Sequence, residues 1–296
     1  MSIYSQINEN KIKTFLIMGI FIFIFSGFFY IIGKYFDSPT PYLILGFTIS
    51  LLSTVGSYFF SDKIVLLTTG AQLADKKKFF NLYTVTENLA LANGLPMPKV
   101  YVIDDLSPNA FATGRDPKHS VVCATTGLLE RLDRTELEGV IAHELSHVKN
   151  YDILIASVVA VLVGTIALIA DWIMRSFWWR GRDDDRENKS PLFFILFIVV
   201  LIITPIIATI IQLAVSRRRE FLADASGALL TRYPEGLARA LEKISADPNR
   251  MKSATTSTAH LFISNPFKKG KGGNWFMGLF STHPPIEERI KILRSM

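Results

Sequence analysis

The residues best suited to chemistry stand together at His143-Glu144-Leu145-Ser146-His147. On a helix, the spacing H-E-x-x-H sets two imidazoles on one face, one turn apart. Both rings can then reach one Zn2+ at about 2.0–2.1 Å. Glu144 is turned away from direct ligation but stays close to an attacking water, whose proton a carboxylate can take. A catalytic zinc usually has three protein ligands. The longer pattern H-E-x-x-H-x-x-G-x-x-H does not supply the third, because Asn150 and Ile153 stand where Gly and His are needed. His119, His260 and His283 are isolated. Glu220 and Asp224 lie four apart, on one helical face. Glu220 can ligate zinc, and Asp224 can accept a hydrogen bond from the free ring nitrogen of a ligating His. Ala223, Ala225 and Gly227 are small enough to let this helix approach the His helix. The competing reading is a solvated Arg/Glu helix end.

These residues need elements to hold them. Thr135 and Glu138 have the spacing of a capping box, and Leu137, Val140, Ile141, Leu145 and Val148 recur at helical spacing. Residues 14–33, 42–60, 153–170 and 190–216 are uncharged and about long enough to cross a bilayer. Gly46 and Gly56 suggest close helix packing in the second span. Between the spans, 73–91 reads as an amphipathic helix with Phe80, Val85 and Leu89 on its apolar side. Residues 99–103, 109–114 and 120–124 read as strands, and 127–132 as a short helix. After the last span, helical character continues to about Leu230. A short strand at His260 to Ile263 and a helix from Ile286 follow.

The expected architecture is mainly α, a four-helix transmembrane region with an α+β zinc protease domain assembled from two soluble segments. Its divisions are 1–61 (two spans), 62–152 (first soluble segment, with the H-E-x-x-H helix), 153–213 (two further spans) and 214–296 (second soluble segment, with the third ligand).

Composition narrows the function classes. Apolar residues make up 49% of the chain and are bunched into the spans. The one cysteine, Cys123, excludes a disulfide within the chain, and its apolar neighbours suit a buried thiol. The net charge of +6 is accounted for by basic flanks of membrane spans, and no nucleic-acid motif is present. Glu130, Arg131, Asp133, Arg134, Glu136 and Glu138 precede the His pair. A charge at mid-bilayer costs at least ~2.5–3.5 kcal/mol, so a site deep in lipid is excluded. Lys11, Lys13, Lys149 and Arg217 to Arg219 favour the cytoplasm for the soluble segments. Arg175, Arg180, Arg182, Arg186 and Lys189 pull the other way. A scaffold with a residual metal site is a rival reading, but it has no use for Glu144 as a base.

HELSH, then SRRREFLADASGA, then STHPP, in that order, resemble the HtpX branch of membrane-anchored zinc metalloproteases, a family related to the CAAX-prenyl endoproteases. The resemblance covers nearly the whole chain. It implies a gluzincin-like core, one Zn2+ held by His143, His147 and Glu220, and Asp224 as a supporting carboxylate. It also implies endoproteolysis of membrane or misfolded proteins at the bacterial inner membrane, with the site facing the cytoplasm. NAFATG resembles the family's strand beside the active site, so Asn109, Ala110, Phe111, Ala112 and Thr113 are candidates for holding an extended substrate. His283, ahead of two prolines, is a candidate donor to the oxyanion. The expected partners are polypeptide substrates and the bilayer, without nucleic acid.

Overall fold

Two long apolar helices open the fold in the computed structural model, which describes residues 3–180, 216–267 and 284–296. α1 (Ile3–Tyr35) and α2 (Pro39–Thr69) run antiparallel, with Tyr58 stacked beside Phe15. Gly46 lets them approach closely, since a Cβ there would lie 2.5 Å from Cβ of Phe29. Gly56 does not share this role; a Cβ there would meet nothing within 4 Å. Pro39 sits in the first turn of α2, where its missing N–H costs nothing. The helix then runs past Asp62 and Lys63 to Gly70, whose left-handed backbone (φ 68°) ends it. α6 (Asp152–Arg180) is the third apolar helix, and its Leu154, Ile155, Val158 and Leu162 pack on Ile17, Phe21 and Phe25 of α1.

Among the described residues, three helices are long and apolar enough to cross a membrane: Gln6–Lys34, Pro39–Thr69 and Asp152–Asp171. Phe23, Leu52 and Leu67, on α1 and α2, are 80%, 66% and 85% exposed. Such apolar surface suits lipid rather than water. The fourth expected span and His283 lie outside the described residues.

The domain beside these helices is built on a four-stranded sheet of order β1-β2-β4-β3. β1 is Gln72–Leu73, β2 Lys99–Ile103, β3 Ala110–Gly114 and β4 Ser120–Thr125. β2 and β4 are parallel, and the two outer pairings are antiparallel. The helix expected over 73–91 is shorter, α3 (Phe80–Ala92). Leu73 is drawn into the sheet opposite Tyr101. Asp75 then caps a turn by accepting from the backbone N–H groups of Lys77 and Lys78. Phe80 is accordingly exposed, and Leu82, Val85 and Leu89 form the buried face.

α4 (Thr126–Arg131) leads into α5 (Arg134–Lys149). The cap of α5 lies two residues earlier than Thr135 and Glu138 suggested. Asp133 accepts from the Glu136 N–H, and the Glu136 carboxylate accepts from the Asp133 N–H. Thr135 supports that cap by donating to Asp133. α7 (Arg217–Thr231) and α8 (Pro234–Ala246) pack on α5. α8 was not anticipated; Gly139 of α5 makes room for it, since a Cβ there would lie 2.6 Å from the Leu237 nitrogen. Residues 259–261 form a 3-10 turn instead of a strand, and one rung, Ile263 N–H to Ala110 O at 2.9 Å, joins this segment to β3. α9 (Ile286–Arg294) closes the fold.

Candidate metal centre

α5 presents His143, Glu144 and His147 to the interior; His143 and Glu144 are 1% and 2% exposed. α7 comes close enough to meet them because Gly227 has no side chain, and a Cβ there would lie 3.0 Å from the His143 backbone nitrogen. That approach brings in Glu220 and Asp224, which are 4% and 1% exposed. A solvated helix end is therefore excluded.

The Nε2 atoms of His143 and His147 lie 3.2 Å apart. Glu220 faces both, with Oε2 3.8 Å from His143 Nε2 and Oε1 3.5 Å from His147 Nε2. Each ring is held from behind. His143 Nδ1 lies 2.8 Å from Asp224 Oδ1, and His147 Nδ1 lies 3.0 Å from Asp152 Oδ2. A carboxylate at Nδ1 keeps the ring proton there and leaves the Nε2 lone pair free to bind. Two such lone pairs and a carboxylate thus point at one another, three acceptors calling for a cation. A tetrahedral ion with bonds of about 2.0–2.1 Å holds its ligand atoms roughly 3.3–3.4 Å apart. The three separations fall on either side of that figure.

Charge agrees with geometry. Glu144, Asp152, Glu220 and Asp224 are carboxylates, while Arg289 and Arg219 are the nearby guanidiniums. When the carboxylates are ionised, two negative charges remain for a divalent ion to balance. Without a metal, burial pulls the His147 imidazole down, but its bond to Asp152 and the charges of Glu220 and Glu144 outweigh this and lift it to about 9. A metal would displace that proton. Burial raises Glu144 to about 7. Burial also pushes Asp224 up, yet the Arg289 charge and hydrogen bonds overcome it and hold the carboxyl at about 2. Burial draws His143 below the ordinary imidazole value.

Arg289 has no precedent in the sequence pattern. It is 0% exposed and grips Asp224 with two hydrogen bonds, Nε to Oδ2 at 2.8 Å and Nη2 to Oδ1 at 2.7 Å. It also donates to the Ile263 carbonyl, so α9 ties the segment at 263 to α7. Asp152 is the other supporting residue that local spacing did not reveal. It follows Tyr151, whose left-handed backbone (φ 59°) turns the chain between α5 and α6 and aims Asp152 back at His147.

Of the five residues expected to meet substrate, Ala112 lines the cleft in front of the His pair, with its backbone N–H toward the Glu144 carboxylate. Asn109 is tied to the Ser264 backbone, Ala110 O to Ile263, and Thr113 to Ser157 of α6. Phe111 is buried edge-on against Phe262. His260 is buried beside the cleft, its Nε2 donating to the Ala156 carbonyl. His119 is exposed and pairs with Asp116. Cys123 is fully buried, and burial and the Glu144 charge push its thiol up.

The profile of Peptidase family M48 matches residues 76–296, the stretch that contains the whole cluster. The chain belongs to that family. It is a metalloprotease of the M48 type with apolar helices long enough to anchor it in a membrane. Proteins named Protease HtpX homolog are similar over nearly their full length. The one from Tropheryma whipplei (strain Twist) is 46% identical over 297 residues, 99% of this chain and 98% of the relative. That of Caldanaerobacter subterraneus is 46% identical, covering 100% of this chain and 98% of the relative. That of Pyrococcus furiosus is 43% identical, covering 96% and 95%. The crystal structure of S. mikatae Ste24p aligns with 98% of this chain and 67% of its own, at 19% identity and a TM-score of 0.49.

Proposed function

We propose that the protein is a membrane-bound zinc endopeptidase that cuts membrane or misfolded proteins on the cytoplasmic side of the bacterial inner membrane. The observation that carries the reading is the convergence of His143 Nε2, His147 Nε2 and the Glu220 carboxylate, with Glu144 beside them in one cleft. These three residues would hold the metal, and zinc is the ion that two imidazoles and one carboxylate suit in a hydrolase. When bound, it supplies a Lewis acid that polarises a carbonyl and acidifies water.

The remaining work falls to the chain itself. Glu144 takes the proton of the attacking water and returns it to the leaving amine. Asp224 and Asp152 keep both rings in the metal-binding tautomer. β3 is an edge strand whose outer rim is taken at Ala110 by Ile263 and at Gly114 by Ser157. An extended substrate therefore pairs at Ala112, between those two ties, by main-chain contacts that read little sequence. The substrate class rests on the likeness to the HtpX homologues. The orientation rests on the basic residues at 11, 13, 149 and 217–219.

The test is zinc-dependent cleavage of an unfolded substrate by the purified full chain in detergent, beside Glu144→Gln. The wild type should lose activity to a chelator and regain it with zinc. Glu144→Gln should bind one zinc with wild-type affinity and cut about 10²–10⁴-fold more slowly. Equal rates in the two proteins would remove Glu144 from the chemistry.

A further inference from the structure

We propose that Asn10, in the first membrane helix, is a positioning residue of the metal centre and acts on the ligand His147 through Asp152. The inference rests on the reading of His147 as a ligand. Asn10 is 3% exposed at the start of an apolar helix, an expensive place for an amide unless every polar atom is bonded. It is bonded throughout. Nδ2 donates to Asp152 Oδ1 at 2.8 Å and to the Asn150 carbonyl at 2.9 Å. Oδ1 accepts from Arg219 Nη1 at 3.1 Å.

Those partners belong to the site. The other oxygen of Asp152 accepts from His147 Nδ1, and Arg219 stands next to Glu220 and lies 3.3 Å from Asp152 Oδ1. One side chain of α1 therefore bridges the end of α5, the start of α6 and the ligand-bearing turn of α7. Asp152 alone can swing about its Cα–Cβ bond. With Oδ1 held at 2.8 Å by Asn10, and at 3.3 Å by the Arg219 that Asn10 itself engages, the carboxylate is locked with Oδ2 toward the imidazole. The lock sits where the backbone needs help, because Tyr151 is left-handed without being glycine. Lys11, the next residue of α1, braces the same turn with its ammonium 4.5 Å from the centre of the Tyr151 ring. The first membrane helix is thus part of the metal site as well as an anchor.

The experiment is zinc affinity, measured by chelator competition on the full chain in detergent for Asn10→Ala, Asp152→Asn and the double variant. Substitutions behind a metal ligand weaken affinity about 10–100-fold. Asp152→Asn should fall in that range, and Asn10→Ala should weaken zinc binding by about 3- to 10-fold. If Asn10 acts through Asp152, adding Asn10→Ala to Asp152→Asn should change the affinity no further. Thr14→Val, equally buried one turn along and bonded only to its own helix backbone as far as its hydroxyl donates, should bind zinc as the wild type does. Should Asn10→Ala not accumulate, Asn10→Asp, the same size and still able to accept from Arg219, carries the same expectation. Wild-type affinity in the Asn10 variant, or losses that simply add in the double variant, would overturn the proposal. A wild type that binds no zinc, or binds it equally after His147→Ala, would instead overturn the reading on which it rests.

Discussion

At the scale of single residues, the site depends on a cation that the sequence pattern does not advertise. Arg289 lies in a short helix with Glu287 and Glu288 and looks like an ordinary surface charge. Its guanidinium is buried, and it neutralises Asp224 while Asp224 orients His143. Removing one partner of such a pair costs about 3–5 kcal/mol, because the other charge is left buried and unpaired, whereas replacing both by apolar groups is often neutral. Arg289→Met should therefore lower the melting temperature sharply and weaken zinc binding. Arg289→Met with Asp224→Leu should recover most of the thermal stability while zinc binding stays weak, since His143 has lost its acceptor. A double variant that melts as low as the single would refute this account. The contrast with HELSH explains what can be read from sequence. His143, Glu144 and His147 lie within one helical turn and a fixed spacing, so their chemistry shows locally. Arg289 and Asn10 reach the same centre from far along the chain, and Asp152, five residues past His147, reaches it only because the left-handed turn at Tyr151 aims it back; nothing in their neighbourhoods marks them.

At the scale of elements, the sheet strands and α5 are recognisable because their apolar periodicity is local. Two features are not, and a third, α8, is legible but was not anticipated. The α5 cap shifts to Asp133 because two overlapping sets of capping residues are present and the extended backbone at Asp133 selects one. β1 takes Leu73 from a helix-like pattern because pairing with Tyr101 outweighs propensity. α8 carries Leu237, Leu241 and Ile244 on one face behind Pro234, a legible helix signal that the metal-binding pattern overshadows. The α5–α7 contact has a consequence for the metal. A methyl at Gly227 would press on the His143 backbone at 3.0 Å, and overpacking of this kind costs about 1–3 kcal/mol. α7 carries Glu220 two turns before Gly227, so relief by shifting α7 displaces a proposed ligand. Gly227→Ala should fold, yet bind zinc about tenfold more weakly. Chelator competition alongside a thermal melt would reveal this, and unchanged affinity would mean that the close approach does not set the ligand geometry.

At the scale of the whole molecule, the metal cluster sits where the apolar helices begin. Asn10 lies near the start of the span Gln6–Lys34, and Asp152 is the first residue of the span Asp152–Asp171. The end of α2 leads directly into β1 of the sheet. The catalytic domain therefore grips the near ends of the helices, and the tip between α1 and α2, at Asp37 and Ser38, lies at their far end. If α1 and α2 cross the bilayer, that tip and the domain face opposite compartments. Cys123 makes this testable in the native background, because its thiol is fully buried and burial also raises it away from the reactive thiolate. The unmodified chain should resist a membrane-impermeant maleimide. Asp37→Cys, at the exposed tip, should label in intact cells whose outer envelope is permeable to the reagent. Arg134→Cys, exposed at the start of α5, should label only after the inner membrane is opened. Labelling of both from outside would mean that the hairpin does not cross, and the reverse pattern would turn the active site away from the cytoplasm.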